Sequence, residues 1–243
     1  MRDNLPDQFI DLTITSPPYD NLRTYKGFEF DYEAMLKELY RVTKDGGVVV
    51  WVVNDATVKG SETGTSFKQA LCAKKIGFNL HDTQIYYKNN PIPTAGKRYH
   101  QHFEYMFVFS KNSPNTFNPI MEDCKYQGVA NMKNRGQEGK LEYVKIKRTK
   151  TKKIGNVFKY SIGGGITTND TIAYNHPAIF PDKLVEDQLR TWSNEGDIVF
   201  DPMCGSGTTC KMAWLNNRNF IGVDISEEYI NNICIPRLQE YGW

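Results

Sequence analysis

Six consecutive apolar residues, Val48 to Val53, follow an amphipathic segment and a glycine pair, and this alternation recurs along most of the chain. A run of that length, rich in β-branched residues and bounded by turn signals, reads as a strand buried on both faces, as parallel sheets require. Ahead of it, Met35, Leu36, Leu39, Tyr40 and Val42 recur at helical spacing, which predicts a helix over Glu33 to Thr43 stopped by Asp45-Gly46-Gly47. Ile10, Leu12 and Ile14 predict an earlier strand, ended by Pro17-Pro18, because two prolines cannot continue a ladder. A helix over Ser66 to Ile76 closing at Gly77, and strands near Gln84 to Tyr87 and Tyr105 to Phe109, complete a first half. A second half repeats the rhythm: helix Pro181 to Thr191, strand Ile198 to Asp201, helix Thr208 to Leu215, strand Phe220 to Asp224, helix Glu227 toward Tyr241. The fold expected is α/β, one mostly parallel sheet shared by residues 1–111 and 171–243.

Between those halves, residues 112–170 are rich in Asn, Lys, Gly and Thr with little periodicity, and read as an inserted, partly mobile module. Net charge over the 243 residues is only +2, but its distribution is uneven. Eleven Lys and Arg between Lys125 and Lys159 face only Glu138 and Glu142, an excess of nine that leaves the remainder acidic. Cations interleaved with Tyr143, Phe158, Tyr160 and several Asn suit phosphate contacts and base reading. The five cysteines are odd in number and scattered, with no Cys-x-x-Cys pair, so neither a disulfide framework nor a metal site is expected. The four histidines, His100 and His102 among them, read as surface or hydrogen-bonded residues. No apolar run approaches the roughly 20 residues of a membrane span, and the first residues lack a signal-peptide pattern, so a cytosolic protein is expected.

Two loops carry chemistry. Asp201-Pro202-Met203-Cys204-Gly205-Ser206-Gly207-Thr208-Thr209 lies where a strand turns into a helix, the place where open α/β sheets bind ligands. Glycines there admit a ligand to the backbone, and helix-start amides attract an anionic group. Asp224 ends the next strand, 19 residues after Gly205, at the spacing where an acid takes a ribose hydroxyl pair. A phosphate-binding loop for ATP fails because Lys211 lies four residues past Gly207, and a dinucleotide fingerprint fails at Cys210. The second loop, Ser16-Pro17-Pro18-Tyr19, fixes two φ angles and directs carbonyls and an aromatic ring, which suits gripping a flat polar group.

Taken together, these loops resemble those of the S-adenosylmethionine-dependent DNA amino-methyltransferases. The order, catalytic loop first and cofactor loop last with a basic insertion between, resembles the circularly permuted β class. His176-Pro177-Ala178-Ile179-Phe180-Pro181, Phe220 to Asp224, and Lys97 to Tyr105 fit the same family. The resemblance implies a Rossmann-like methyltransferase sheet with an antiparallel strand. It implies that Gly205, Ser206, Gly207, Thr208 and Thr209 hold the methionine end of the cofactor with Phe180, Pro181, Asp201 and Pro202, and that Asp224 takes the ribose. It implies that Ser16 and the Pro17 carbonyl accept hydrogen bonds from the exocyclic amine of a flipped base, with Pro18 stiffening the corner and Tyr19 stacking on the base. Arg23, Lys97, Arg98, His100, Lys133, Arg135, Lys145, Lys147 and Arg148 are the candidate DNA contacts, and Asn21, Tyr25 and Lys26 could close over the base.

Ser-Pro-Pro-Tyr resembles cytosine-N4 enzymes more than adenine-N6 ones, which more often begin with Asp. Cytosine-C5 chemistry is disfavoured because no Pro-Cys pair supplies a nucleophile. The implied partners are double-stranded DNA, a cognate restriction endonuclease and a second copy of the chain, with no membrane, in a bacterial or phage setting. RNA or protein-glutamine methylation is a rival, as is a catalytically silent DNA-binding or subunit-interaction protein. Relatives usually carry a strand and helix before the stretch matching Leu5-Pro6-Asp7, so a more open adenine pocket, weaker cofactor binding, or completion by another subunit is expected here.

Overall fold

The structure is a computed structural model that describes residues 4–20, 30–126, 128–136 and 139–243. Contacts divide the chain into two compact units, residues 1–118 with 156–243, and residues 119–155.

The larger unit is built on a seven-stranded sheet. Its strands are β1 (Ile10–Thr15), β2 (Thr43–Val53), β3 (Asn79–Lys88), β4 (Phe103–Ser110), β5 (Val157–Tyr160), β6 (Ile198–Asp201) and β7 (Asn219–Gly222), in the order β5-β3-β4-β2-β1-β6-β7. Every neighbouring pair is parallel except those made by β4, which runs antiparallel to both β2 and β3. Helices α1 (Tyr32–Val42) and α2 (Thr65–Ile76) share one core with β1, β2, β4 and β6, containing Leu36, Leu39, Val42, Trp51, Ala73, Phe109 and Phe200. The Trp51 indole in that core donates to Gln69 of α2 at 2.8 Å, so the one polar atom of a fully buried ring is satisfied. Helix α3 (Asp182–Trp192) lies beside α4 (Thr208–Leu215) and reaches β1 and β5.

From β1 the chain passes through α1 to β2 on one side, and from β6 through α4 to β7 on the other. The direction of winding therefore reverses between β1 and β6, which opens a crevice at their carboxyl ends.

Two expectations need correction. Strand β2 begins at Thr43, not Val48, because the register slips between Ile10↔Thr43 and Leu12↔Val48. Gly46, at φ +77°, lets the chain bulge there instead of leaving the sheet. The inserted unit spans 119–155, narrower than 112–170, since Val157–Tyr160 pairs parallel with β3 and extends the main sheet. Within the smaller unit, Gly128–Arg135 and Leu141–Arg148 form an antiparallel ribbon, so the segment that reads as aperiodic holds regular structure.

A buried ionic cluster lies beneath α4. Arg237 is fully buried and donates to Asp170 at 2.6 Å and Asp182 at 3.2 Å, while Lys211 reaches Asp170 at 2.7 Å and Asp182 at 2.5 Å. Burial alone would raise the Asp170 pKa, but hydrogen bonds from Lys211, Tyr241 and Arg237 hold it well below the usual carboxylate range. Arg237 also donates to the Ser206 carbonyl at 3.0 Å and the Thr208 hydroxyl at 2.9 Å, joining the cluster to the glycine turn. Arg237→Ala would leave Lys211 to face both carboxylates without the guanidinium and is expected to cost about 3–5 kcal/mol in urea unfolding. A loss within experimental error would show that the cluster does not hold the C-terminal segment in place.

Candidate functional site

Strands β1 and β6 run side by side, with Leu12 opposite Val199 and Thr13 opposite Phe200, so the proline corner and the glycine turn leave the sheet at the same edge. Their last residues are joined directly. The Thr15 hydroxyl donates to the Asp201 carboxylate at 2.7 Å, and the Thr209 hydroxyl donates to the Ile14 carbonyl at 3.2 Å. Asp201 is buried and also accepts the Met203 amide at 3.1 Å. Its pKa is pushed up to about 6, because burial outweighs the hydrogen bonds from Thr15 and Met203.

Beyond Asp201 and the buried Pro202, the turn depends on two left-handed glycines. Gly205 has φ +48°, and a Cβ there would come within 2.7 Å of His176 Nε2. Gly207 has φ +76°, and a Cβ there would meet Cys234 Sγ at 2.5 Å. Asp224 accepts the Gly205 amide at 2.9 Å with one oxygen and the Ser226 amide at 2.9 Å with the other, so this acid clamps the turn. Each of its oxygens keeps lone-pair capacity for a hydroxyl. The hydroxyls of Thr208 and Thr209 face the protein, toward Arg237 and Ile14, and Ser206 is buried. Helix α4 has Gly207 as its N-cap, with no side-chain cap, which leaves the turn's backbone as its polar face for a ligand. Pro181 is buried and its carbonyl accepts the Leu184 and Val185 amides of α3, Phe180 is partly buried, and His176 before them stands against Gly205.

At the other corner, the Tyr19 hydroxyl donates to Glu104 of β4 at 2.7 Å, and Lys88 of β3 pairs with the same carboxylate. Burial, and then the charge of Glu104, raise the Tyr19 pKa well above 10, so the phenol stays protonated. A phenol can donate one hydrogen bond, and Tyr19 donates it to Glu104. The 2.9 Å contact between Ser16 Oγ and Tyr19 Oη is therefore donated by Ser16, leaving the serine oxygen's lone pairs as acceptors. Pro17 is buried and Pro18 partly buried beside it.

Among the candidate DNA contacts, Arg98 is tied to Glu62 at 3.2 Å and to the Gly60 carbonyl at 2.6 Å, and His100 accepts the Thr94 amide at 3.0 Å. Lys97 is exposed. In the smaller unit, the ribbon register sets Lys133 opposite Tyr143, Arg135 opposite Leu141, Asn131 opposite Lys145 and Val129 opposite Lys147. Side chains two apart share a face, so Lys133, Arg135, Lys145 and Lys147 stand together with Asn131 and Tyr143. Lys133 lies over the Tyr143 ring at 5.5 Å. Arg148 closes the ribbon opposite Gly128, while Asn21, Arg23, Tyr25 and Lys26 lie outside the described residues.

The DNA methylase family of N6 and N4 methyltransferases matches residues 10–234. The chain belongs to this family. It is a DNA methyltransferase of the N4/N6 amino-methyltransferase kind. The chain is 53% identical to the orphan methyltransferase M.BamHII of Bacillus amyloliquefaciens, over 99% of this chain and 93% of that protein. It is 27% identical to the type II methyltransferase M.BglII of Bacillus subtilis, over 94% of this chain and 63% of that protein. The fold matches that of the PvuII DNA methyltransferase (cytosine-N4-specific), with a TM-score of 0.67 at 19% identity, covering 98% of this chain and 86% of that one. Among the described residues, no helix of this methylase is long and apolar enough to cross a membrane.

His176 and Glu104 fall within the motifs read from the sequence, and Lys211 enters only in rejecting an ATP loop, but none of them is given a role there, and Lys88 and Arg237 are not singled out at all. A signal existed for Glu104, a lone acid in the otherwise apolar strand Phe103–Ser110, but its partner is 85 residues away.

The raised Asp201 pKa has a definite pH signature. Because the folded chain favours the protonated carboxyl, it binds more protons than the unfolded chain between pH 3.8 and about 6. Stability relative to Asp201→Asn should therefore be greatest below about pH 4, fall by about 3 kcal/mol as pH rises to 6, and level off above. Parallel urea titrations of the two proteins across this range would measure it; a difference that stays flat or grows with pH contradicts the assignment.

Proposed function

We propose that this methylase transfers a methyl group from S-adenosylmethionine to the N4 amine of a cytosine flipped out of double-stranded DNA. The observation that carries the reading is the meeting of the proline corner and the glycine turn at one sheet edge, joined by the Thr15–Asp201 hydrogen bond. The cofactor supplies an electrophilic methyl carbon on its sulfonium. The Gly205 and Gly207 amides are held by Asp224 and the Cys204 carbonyl, so the amides of Ser206, Thr208 and Thr209 would receive its carboxylate, with Asp201 beside its amino group and Phe180 and Pro181 closing the methionine side. Asp224 takes the ribose while clamping the turn.

The other corner handles the nucleophile. An exocyclic amine is weakly nucleophilic because its lone pair is delocalised into the ring. Ser16 Oγ and the Pro17 carbonyl accept the amine's two N–H bonds, which draws the nitrogen toward tetrahedral geometry and frees the lone pair. The donor chain from Ser16 through Tyr19 to Glu104 keeps the serine proton turned away from the amine. Lys88 pairs with the same carboxylate and fixes its position against Tyr19. The remaining requirement is alignment of nitrogen, methyl and sulfur. Serine at the first position of the tetrapeptide supports cytosine.

Nucleoside digestion of DNA methylated by this chain, read by mass spectrometry, should show N4-methylcytosine. Ser16→Ala should abolish the product, and Glu104→Gln should reduce turnover by roughly tenfold to a hundredfold with cofactor binding retained. N6-methyladenine as the product would overturn the cytosine assignment. No transfer by folded, cofactor-bound protein across diverse DNA would support the silent alternative.

The target-recognition role falls to the ribbon of residues 128–148. A two-stranded ribbon fits the major groove, and one face here presents four cations with Asn131 and Tyr143. Changing both Lys145 and Lys147 to Ala should lower the slope of log affinity against log salt by about 2 while leaving cofactor binding intact. An unchanged slope would remove the ribbon from the interface.

A further inference from the structure

Three of the five cysteines that are scattered in sequence come together in space. The Sγ atoms of Cys204, Cys210 and Cys234 all lie within 4.8 Å of one another, and each residue is buried. They arrive from different elements: the glycine turn, the first turn of α4, and the C-terminal segment. Three sulfurs held at about 2.3 Å from one ion would stand roughly 3.8–4.0 Å apart, so the cluster is already near ligating dimensions.

Two features show that the backbone is shaped around these sulfurs. Gly207 and Gly222 approach so closely that a Cβ on either would lie 2.5 Å from a sulfur, Cys234 in one case and Cys210 in the other. The C-terminal segment is α-helical over Glu227–Tyr229 and Ile235–Gln239 but widens to a π-helix over Ile230–Cys234, ending on the third thiol. Such widenings are uncommon and often mark functional positions. Leu238, Phe220 and Ile230 enclose the group in an apolar shell.

We propose that Cys204, Cys210 and Cys234 form a binding site for one soft cation of the copper(I) class, seated against the glycine turn. Among the described residues the donor group numbers three, all sulfur. Structural zinc(II) takes four ligands, whereas soft thiolate sets select copper(I), which accepts three. Each sulfur that ligates releases its proton to solvent, and no electron is transferred. Occupancy ties the turn, α4 and the C-terminal segment at one point.

The test uses the whole reduced chain, titrated with copper(I) buffered by a competing chromophoric chelator, and in parallel with zinc(II). One copper should be withdrawn from the chelator per chain, with a saturable rise in Tm. Cys234→Ser should lose that binding, and the control with Cys72→Ser and Cys124→Ser should keep it. Copper-edge X-ray absorption on the unmodified protein should count three sulfur neighbours, a readout that needs no variant. Retention of no copper by folded protein with five reduced thiols would overturn the proposal. Tighter uptake of zinc(II), or a fourth ligand in the absorption spectrum, would overturn the three-coordinate assignment.

Discussion

A single buried hydrogen bond, from Thr15 to Asp201, joins residues 186 positions apart and fixes where everything else in the site can be. It works because both partners are the last residues of adjacent parallel strands, so the loops that follow emerge at one edge. Had β6 entered the sheet in the opposite direction, the glycine turn would sit at the far edge from the proline corner. The bond also gives Asp201 a partner where burial would otherwise leave a costly charge, at a point where a cationic ligand group could gain from it.

The two corners manage protons in opposite ways. Around Asp201, burial favours the neutral form, which makes the acid responsive to any positive group brought beside it. Around Tyr19, Glu104 accepts the single hydrogen bond the phenol can donate, and that choice propagates to Ser16. The outcome is directional. An isolated serine hydroxyl can turn its hydrogen either way, while this one is held by an acceptor whose own proton is already committed. Lys88, itself largely buried, completes the chain by pairing with the Glu104 carboxylate.

Strands β1 and β6 and helix α4 were legible in the sequence because local signals agree there: a period or an apolar run, then proline or glycine. The start of β2 was not, since a glycine-bearing bulge looks locally like a helix stop followed by a loop. The ribbon of the smaller unit escaped notice because both of its faces are largely exposed, and alternation between polar types has no hydrophobic contrast to display. In the site, the turn and the tetrapeptide could be read, being contiguous. Glu104, Lys211 and Arg237 could not, because their roles come from partners 85, 41 and 67 residues away. The cysteine cluster is the same lesson: spacing along the chain said scattered, and the fold brings them together.

The glycine turn shows how a short loop can be rigid and open at once. Its side chains are directed inward: Thr208 to Arg237, Thr209 to the end of β1, and Asp201 to Thr15. Asp224 holds it from the next strand end through the Gly205 amide, and Cys234 presses on Gly207 from below. With the side chains committed to the protein, the backbone is left to meet a ligand, in a conformation that only glycine adopts without strain at two positions. Recognition then depends on amide geometry, and amide geometry depends on the clamps. A substitution among the clamping residues therefore acts on the ligand through the position of the turn, even where the altered side chain touches no ligand atom.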